Sequence, residues 1–163
     1  MKKILIVTIM FSLFLFGCEK MMNTPTSKVE DFLSRYQRLD KDVLKELENM
    51  VNKEDNMNEE EKKEYKTLLE KQYQNLSYKI KKEIIAKDTA TVDVEIEVLD
   101  YATAISKTND NCEENTIECK LKELKNVNNK VKHEITFTLN QEDGVWTIEK
   151  LNDSDVKKLH GLY

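Results

Sequence analysis

Glycine and proline are scarce in this chain of 163 residues, which has three glycines and one proline. So few turn-forming residues exclude a collagen-like chain and a glycine-rich phosphate loop, and they argue against a barrel of many short strands. Only two histidines occur, and there is no paired-histidine metal motif and no serine or cysteine nucleophile motif. We therefore expect long secondary-structure elements, no cofactor, no metal site and no catalytic residue set.

The N-terminus combines two lysines with a short apolar run. Lys2 and Lys3 precede residues 4–16, which are 13 residues without a charge. This run is too short to span a bilayer, which takes about 20 apolar residues, but it suits a secretory signal. The segment ends in Leu15-Phe16-Gly17-Cys18, which resembles the lipobox of bacterial lipoproteins. The resemblance implies a signal peptide at residues 1–17 and a diacylglycerol on Cys18, on the extracytoplasmic face of the cell membrane. An ordinary cleaved signal followed by an unrelated cysteine is the alternative.

Removal of the signal peptide makes the chain more acidic. The full chain carries a formal charge of −5, and the loss of Lys2 and Lys3 with no acid leaves 146 residues with a charge of −7. Such a chain lacks the basic surface on which nucleic-acid binding depends. It also gains nothing from anionic lipid headgroups, so the lipid on Cys18 would have to provide the attachment.

The rest of the chain divides into a tether at residues 18–26 and a single domain at residues 27–163. Ser27 and Glu30 fit a capping box at the start of a first helix, and Asn58 followed by three acids fits the start of a third. Apolar residues spaced by three and four predict three amphipathic helices. Their apolar stripes are Val29, Phe32, Leu33 and Tyr36; Val43, Leu44, Leu47, Met50 and Val51; and Tyr65, Leu68, Leu69, Tyr73 and Leu76.

After Leu76 the apolar period changes from 3.6 to 2, which predicts β-strands. Their apolar positions are Tyr78, Ile80 and Ile84; Val92, Val94, Ile96 and Val98; Val131, His133, Ile135, Phe137 and Leu139; and Trp146 and Ile148. Lys82 and Ile85 interrupt the first alternation. One apolar and one polar face is typical of an antiparallel sheet with one side on the core. With the helices before it and a short C-terminal helix that stops at Gly161, the sheet predicts an α+β fold.

Acidic residues on the polar face of the second strand bear on oligomeric state. Asp93, Glu95 and Glu97 alternate with its valines and isoleucine. Stacking two such strands would bring like charges together, unless lysines such as Lys79 and Lys81 intervene. We therefore expect a monomer.

Three segments resemble the nuclear transport factor 2-like, or cystatin-like, superfamily. They are Thr26-Ser27-Lys28-Val29-Glu30-Asp31-Phe32-Leu33, Thr89-Ala90-Thr91-Val92-Asp93-Val94-Glu95-Ile96 and Asp143-Gly144-Val145-Trp146-Thr147-Ile148. The resemblance covers residues 26–151 and extends to small lipoproteins of Gram-positive bacteria. It implies helices on one face of a curved antiparallel sheet of about four strands, with a cone-shaped space between them. Because the superfamily includes enzymes, binding modules and assembly domains, the resemblance does not choose a function.

His133 is the titratable side chain that the pattern places on the apolar face of a strand. One interpretation makes it a residue of a pocket in the cone, surrounded by tyrosines: Tyr36, Tyr65, Tyr73 and Tyr101. The other makes it a histidine at the rim of the core, hydrogen-bonded to backbone or water. The second histidine, His160, is expected to supply only a favourable charge near the end of the C-terminal helix.

The two remaining cysteines are separated by six residues. In an extracytoplasmic protein Cys112 and Cys119 could form a disulfide that closes a small loop. Free thiols and, less in keeping with this spacing, a zinc site are the alternatives. A helix through the segment would hold the two residues about 10 Å apart, too far for a bridge without a kink.

These observations predict a membrane-anchored lipoprotein that binds a small molecule, a peptide or an envelope protein without catalysis. Two alternatives stay open. One is a small enzyme that uses His133 in a pocket. The other is a structural partner in an envelope complex, which would present an exposed apolar patch on its helices.

Overall fold

The computed structural model describes residues 23–108, 112 and 116–163. The predicted signal peptide, the predicted lipobox and Cys18 lie outside the described residues. The helices and strands in this part of the chain are α1 (Pro25–Arg38), α2 (Lys41–Val51), α3 (Glu59–Gln74), β1 (Ser77–Ala86), β2 (Thr89–Leu99), α4 (Tyr101–Ser106), α5 (Ile117–Lys125), β3 (Lys130–Glu142), β4 (Val145–Ile148) and α6 (Asp153–His160). None of these helices combines the length and apolar character that a membrane span requires.

The strands form one open antiparallel sheet in the order β1-β2-β3-β4. β2 and β3 pair from Thr89 opposite Asn140 to Leu99 opposite Lys130. Alternation along β2 turns its valines and Ile96 toward the helices, where they are buried, and its acids toward the open face. The predicted α+β fold, with a four-stranded antiparallel sheet and a short C-terminal helix, is confirmed.

The interruption in the first strand's pattern is a β-bulge. The register of β1 on β2 shifts between Ile80 and Lys82. Because of the extra residue in this bulge, the side chains after it point to the opposite faces from those that simple alternation predicts. Glu83 therefore lies on the helix side of the sheet, and Ile84 is exposed. The Glu83 carboxylate accepts hydrogen bonds from the backbone N–H of Thr26 at 2.9 Å and from its hydroxyl at 2.7 Å. A sheet residue thereby satisfies a donor in the first turn of α1.

Helix α1 begins before the predicted position. The Ser27 N–H donates to the Thr24 hydroxyl at 3.1 Å, and the Thr24 N–H donates to the Ser27 hydroxyl at 2.9 Å. Pro25 takes the first helical position, where a missing N–H costs no hydrogen bond. The predicted capping box of Ser27 with Glu30 is therefore wrong, and Thr26, expected in the tether, lies in the helix.

Two clusters of buried apolar side chains form the interior. The first joins α1 and α6 to the sheet through residues such as Val29, Leu33, Ile96, Phe137, Trp146 and Leu159. The second packs α2, α3, α4 and α5 together through residues such as Leu47, Tyr65, Leu69, Tyr73, Tyr101 and Leu121. Tyr36 packs against both, so it lies where the helical layer meets the sheet layer.

Gln72, fully buried on α3, connects the end of β2 to the C-terminal segment. Its Nε2 donates to the Leu99 carbonyl at 3.0 Å, and the Leu99 N–H donates to its Oε1 at 2.8 Å. Gly161 ends α6 with a φ of 69°, and a Cβ there would collide with Gln72 Nε2 and the Leu99 carbonyl oxygen. This close approach holds His160, the last residue of α6, against α3.

Charged residues on the open face of the sheet pair with one another. Glu95 contacts Lys81 Nζ at 2.8 Å and Lys132 Nζ at 3.0 Å. These hydrogen bonds lower the pKa of Glu95 to about 2. The Thr136 hydroxyl donates to Asp93 at 2.7 Å. Lysines from both neighbouring strands thus offset part of the acidic stripe.

Candidate functional site

A groove of about 530 Å³ runs between the first two helices and the β4 side of the sheet. Its first wall comes from α1 and α2, and its second from β4, the loop that follows and α6. The apolar part of the lining consists of Phe32, Tyr36, Val145, Trp146, Ile148, Leu151 and Val156. The charged part consists of Lys28, Asp31, Arg35, Glu46, Glu149 and Lys150. The groove therefore combines an apolar surface with charges of both signs.

A second cavity of about 400 Å³ adjoins the groove at Tyr36, Glu46 and Val156, which line both. Tyr73 and His160 also line this inner cavity, where α3 meets α6. Two of the four predicted pocket tyrosines, Tyr36 and Tyr73, are thus brought together here. We treat the groove and the inner cavity as one candidate site.

Tyr36 divides the groove from the inner cavity. Its ring lies 4.9 Å from that of Phe32 and 4.9 Å, edge to face, from that of Tyr73, measured between centroids. Its hydroxyl donates to Glu46 at 3.4 Å. Burial, and secondly the negative charge of Glu46, raises the pKa of Tyr36 far above its ordinary value of 10. The side chain is therefore a neutral hydrogen-bond donor in an aromatic wall.

The innermost polar contact joins Tyr73 to His160. The Tyr73 hydroxyl lies 3.0 Å from His160 Nε2, and both side chains are buried. Burial lowers the pKa of His160 to about 4 and raises that of Tyr73 far above 10. Both groups are therefore uncharged at neutral pH. A neutral imidazole has one unprotonated nitrogen, which can accept a phenolic hydrogen bond.

The expectation that His160 provides a charge at the end of its helix is wrong. Its pKa keeps the ring neutral at physiological pH, because the ring lies against α3 with only 7% of the residue exposed. Val156, Leu159 and His160 have the spacing of one helical face. That spacing was the signal that could have placed His160 inside.

His133 lies on the core side of β3, as its register predicts, but at a different place from the groove. Its ring packs on that of Tyr163 with centroids 4.0 Å apart, and Tyr163 donates to Asp100 at 2.8 Å. Its buried Nε2 has no hydrogen-bond partner among the described residues. Burial and the positive charge of Lys158 lower its pKa, against the opposing effect of Asp100. The predicted grouping of His133 with the tyrosines is therefore wrong, because the histidine that contacts Tyr73 and lines a cavity with Tyr36 is His160.

The other two predicted pocket tyrosines have structural contacts inside the helical layer. Tyr101 is fully buried and its hydroxyl donates to the Leu68 carbonyl at 2.9 Å. Burial and, secondly, Glu54 raise the pKa of Tyr65 to about 12. Neither residue lines the groove or the inner cavity, so the four tyrosines do not form one pocket.

Cys112 and Cys119 form a disulfide, with their Cα atoms 6.2 Å apart. The bridge is possible because α5 begins at Ile117, so Cys119 lies in its first turn and Cys112 precedes the helix. Thr116 is the N-cap, and its hydroxyl accepts from the Cys119 N–H at 3.3 Å. The predicted obstacle, a helix through both cysteines, therefore does not arise.

Neither a metal-binding cluster in the described residues nor a similar known protein indicates what this site binds. Within residues 23–108, 112 and 116–163, no group of histidine, cysteine, aspartate or glutamate side chains could hold a metal ion. No protein-family model, curated protein or solved structure matches the chain. The resemblance to nuclear transport factor 2-like domains and to lipoproteins therefore stays a prediction.

Proposed function

We propose that this protein is a lipid-anchored, non-catalytic binding module of the cell envelope whose groove takes an extended polypeptide segment. The anchor is inferred from the sequence: two lysines, an apolar run of 13 residues and Leu15-Phe16-Gly17-Cys18. A diacyl anchor on Cys18 has two chains, which suffice for stable membrane attachment.

The observation that carries the binding role is an edge strand in the wall of the groove. β4 is the last strand of the sheet in the described residues, with β3 on one side and the groove on the other. Asn23 already bonds to its outer side: Nδ2 donates to the Gly144 carbonyl at 2.6 Å, and the Trp146 N–H donates to Oδ1 at 3.3 Å. A side-chain amide offers a donor and an acceptor as a peptide group does. Asn23 therefore bonds to the first of the outward-facing backbone groups along β4. An added strand could bond to the groups that follow.

The lining of the groove supports a polypeptide as the occupant. Phe32 and Ile148 offer apolar contacts to alternate side chains of an extended segment. Lys28 and Lys150 stand near Asp31 and Glu149, so the rim has no single sign of charge. A uniformly charged polymer such as a nucleic acid gains little from such a rim. A neutral backbone with mixed side chains suits it.

The polar pair of Tyr73 and His160 in the inner cavity favours binding over catalysis. A general acid or base works best when its pKa lies near the operating pH. The pKa of His160 is about 4 and that of Tyr73 lies far above 10, because burial disfavours their charged forms. Near neutral pH this pair can hold a hydrogen bond but is poorly matched to proton transfer.

The two alternatives from the sequence have less support. His133 lies against Tyr163 and outside the groove, so an enzyme built on it would need a different cavity. An assembly surface was expected as an apolar patch on the helices. The large hydrophobic side chains that the described residues leave exposed are Ile84, Ile85, Val145 and Tyr163, and none of these lies in a helix.

The fluorescence of Trp146 tests the proposal, because it is the single tryptophan of the chain and lines the groove. The probe is an extended peptide of alternating valine and serine. Its control has proline in place of each serine, which removes backbone N–H donors. We expect the first peptide to change Trp146 emission in a saturable way and the proline peptide to have no effect.

Two matched variants locate the response. Val156→Phe adds bulk where the groove and the inner cavity meet, and should abolish the change in Trp146 emission. Val131→Phe adds the same bulk at a half-buried valine that packs on the core and does not line the groove, and should preserve it. The proposed site would be refuted if the change in Trp146 emission saturated equally in both variants. It would also be refuted if the valine–serine peptide caused no such change in the parent chain.

A further inference from the structure

Exposed apolar side chains are concentrated at one end of the sheet. Of the four large hydrophobic residues that the described part of the chain exposes, three lie there: Ile84 at 47%, Ile85 at 52% and Val145 at 50%. Ile84 and Ile85 precede the turn between β1 and β2, and Val145 follows the turn between β3 and β4. We call this the hairpin end, comprising residues 84–89, residues 140–146 and Asn23.

Two contacts bring the parts of the hairpin end together. The Gln141 N–H donates to the Asp88 carbonyl at 2.7 Å, which holds the two turns side by side. Asn23 Nδ2 donates to the Gly144 carbonyl at 2.6 Å, which places the start of the described chain against the second turn. The described part of the chain therefore begins at the end that carries the exposed isoleucines.

Charge on the open face of the sheet changes along the strands. The half far from the hairpin end carries the ion pairs of Glu95 with Lys81 and Lys132. Two rows of the near half are uncharged, one of Ile84, Thr91 and Thr138 and a next one of Ala86, Thr89, Asn140 and Thr147. Beyond them, Glu142 at the end of β3 lies opposite Val145 and carries a charge. Glu149, which follows β4, accepts a hydrogen bond from Asn140 at 2.6 Å. The open face is thus least charged around Ile84, whereas Ile85 lies opposite the buried Ala90 and is exposed on the helix side of the same end.

The length of the tether limits how the domain can stand on a membrane. Cys18 precedes Asn23 by five residues, which span at most about 18 Å at about 3.6 Å per residue. β2 has 11 residues, so its length is about 36 Å at about 3.3 Å per residue. If the end of the sheet opposite the hairpin end faced the bilayer, the tether would therefore be too short for a lipidated Cys18 to reach the membrane.

We propose that the hairpin end rests on the bilayer surface, with Ile84, Ile85 and Val145 in contact with lipid. This inference relies on the proposed anchor at Cys18 and adds the orientation of the domain. The charged residues of the hairpin end are Lys87, Asp88, Glu142 and Asp143. Their charge is not positive, so the contact is apolar and gains nothing from anionic lipids.

Site-specific labelling of the full lipidated chain in phosphatidylcholine vesicles tests the orientation. An added cysteine is a unique thiol, because Cys112 and Cys119 are bonded to each other and Cys18 carries the lipid. A fluorophore at Ile84→Cys should be quenched by lipids with a nitroxide near the headgroup. The same fluorophore at Asn128→Cys, exposed in the loop before β3 at the opposite end, should be unaffected.

Two further variants sharpen the readout. Ile85→Asp should lower the ratio of inserted to free hairpin end about fivefold, as the loss of one half-buried isoleucine contact implies, and so reduce quenching at position 84. Asn126→Asp, which adds a charge at the opposite end, should leave quenching at position 84 unchanged. Equal quenching at positions 84 and 128, or none at position 84, would overturn the proposed orientation.

Vesicle flotation separates this proposal from the anchor. A chain that floats with vesicles but is not quenched at position 84 refutes the orientation alone. A chain that does not float refutes the anchor and the orientation together. If the label at position 84 becomes protected in a vesicle-free Cys18→Ser chain as protein concentration rises, a second copy covers the hairpin end, and the lipid contact is refuted.

Discussion

Acid should destabilise the fold through His160, and His160→Gln should remove that part of the pH dependence. Burial lowers the pKa of His160 from 6.5 to about 4. Between these values the unfolded chain binds a proton that the folded chain does not. The contribution of the neutral ring is therefore complete above pH 6.5 and is lost as pH falls toward about 4.

The size of the effect follows from the two pKa values. At about 1.4 kcal/mol for each pKa unit, the loss between pH 7 and pH 4 is about 3 kcal/mol. Glutamine keeps an acceptor for the Tyr73 hydroxyl but does not titrate. The free energy of unfolding of the wild-type chain should therefore fall about 3 kcal/mol further than that of His160→Gln over this range.

Urea unfolding at a series of pH values, followed by Trp146 fluorescence, measures this difference. Carboxylates protonate alike in both chains, so their contribution to the pH dependence cancels in the comparison. His133→Gln is the matched control, because it removes the other histidine and leaves the Tyr73–His160 contact intact. Parallel stability profiles for the wild type and His160→Gln between pH 7 and pH 4 would show that His160 is not buried and neutral.

Three further changes test the contacts that shape the fold. Gly161→Ala should cost at least about 2 kcal/mol of unfolding free energy in urea, because it forces a Cβ onto a left-handed backbone and into the end of β2. Replacing Cys112 and Cys119 by serine should cost about 2 kcal/mol by removing a short closed loop, and reduction of the parent chain should cost the same. Lys81→Met should raise the pKa of Glu95 from about 2 toward its ordinary 4.5, as followed by carboxyl NMR.

Two of these changes, Gly161→Ala and Lys81→Met, have a matched control in the chain. Gly144 also has a positive φ, but a Cβ there meets open space, so Gly144→Ala should cost less than the change at Gly161. Lys87→Met removes a lysine far from Glu95 and should leave its titration unchanged. Equal costs at the two glycines would contradict the packing at Gly161, and an unmoved Glu95 titration would contradict its pairing with Lys81.

The faces of the sheet could be predicted in detail because apolar and charged residues alternate strictly along β2. Val92 to Val98 can face the core in one register alone, since a slip by one residue would bury acids. The interruption of the pattern around Lys82 had no interpretation in the sequence, and the structure shows that it is a β-bulge. The bulge lets Glu83 reach α1. In contrast, α4 has six residues, too few for a helical period to be recognised.

The candidate site was harder to predict because its central contact is tertiary. Tyr73 and His160 are 87 residues apart, and they meet because α6 docks on α3 around Gly161. Local patterns place side chains on faces but do not tell which faces meet. Of the predicted pocket residues, Tyr36 was therefore found at the groove and the inner cavity, and Tyr73 at the inner cavity alone. His133, Tyr65 and Tyr101 were on buried faces elsewhere.

The two proposals share β4, and together they predict where the bound segment comes from. Val145 lines the groove and is also exposed at the hairpin end. If that end rests on lipid, a segment added to β4 lies beside the bilayer, as the juxtamembrane part of a membrane protein does. Attaching the valine–serine peptide to a lipid should then raise its apparent affinity for the anchored protein, because both are confined to one surface. The Cys18→Ser chain should bind the lipid-attached and free peptides equally, and an anchored chain that also binds them equally would argue that its groove faces away from the membrane.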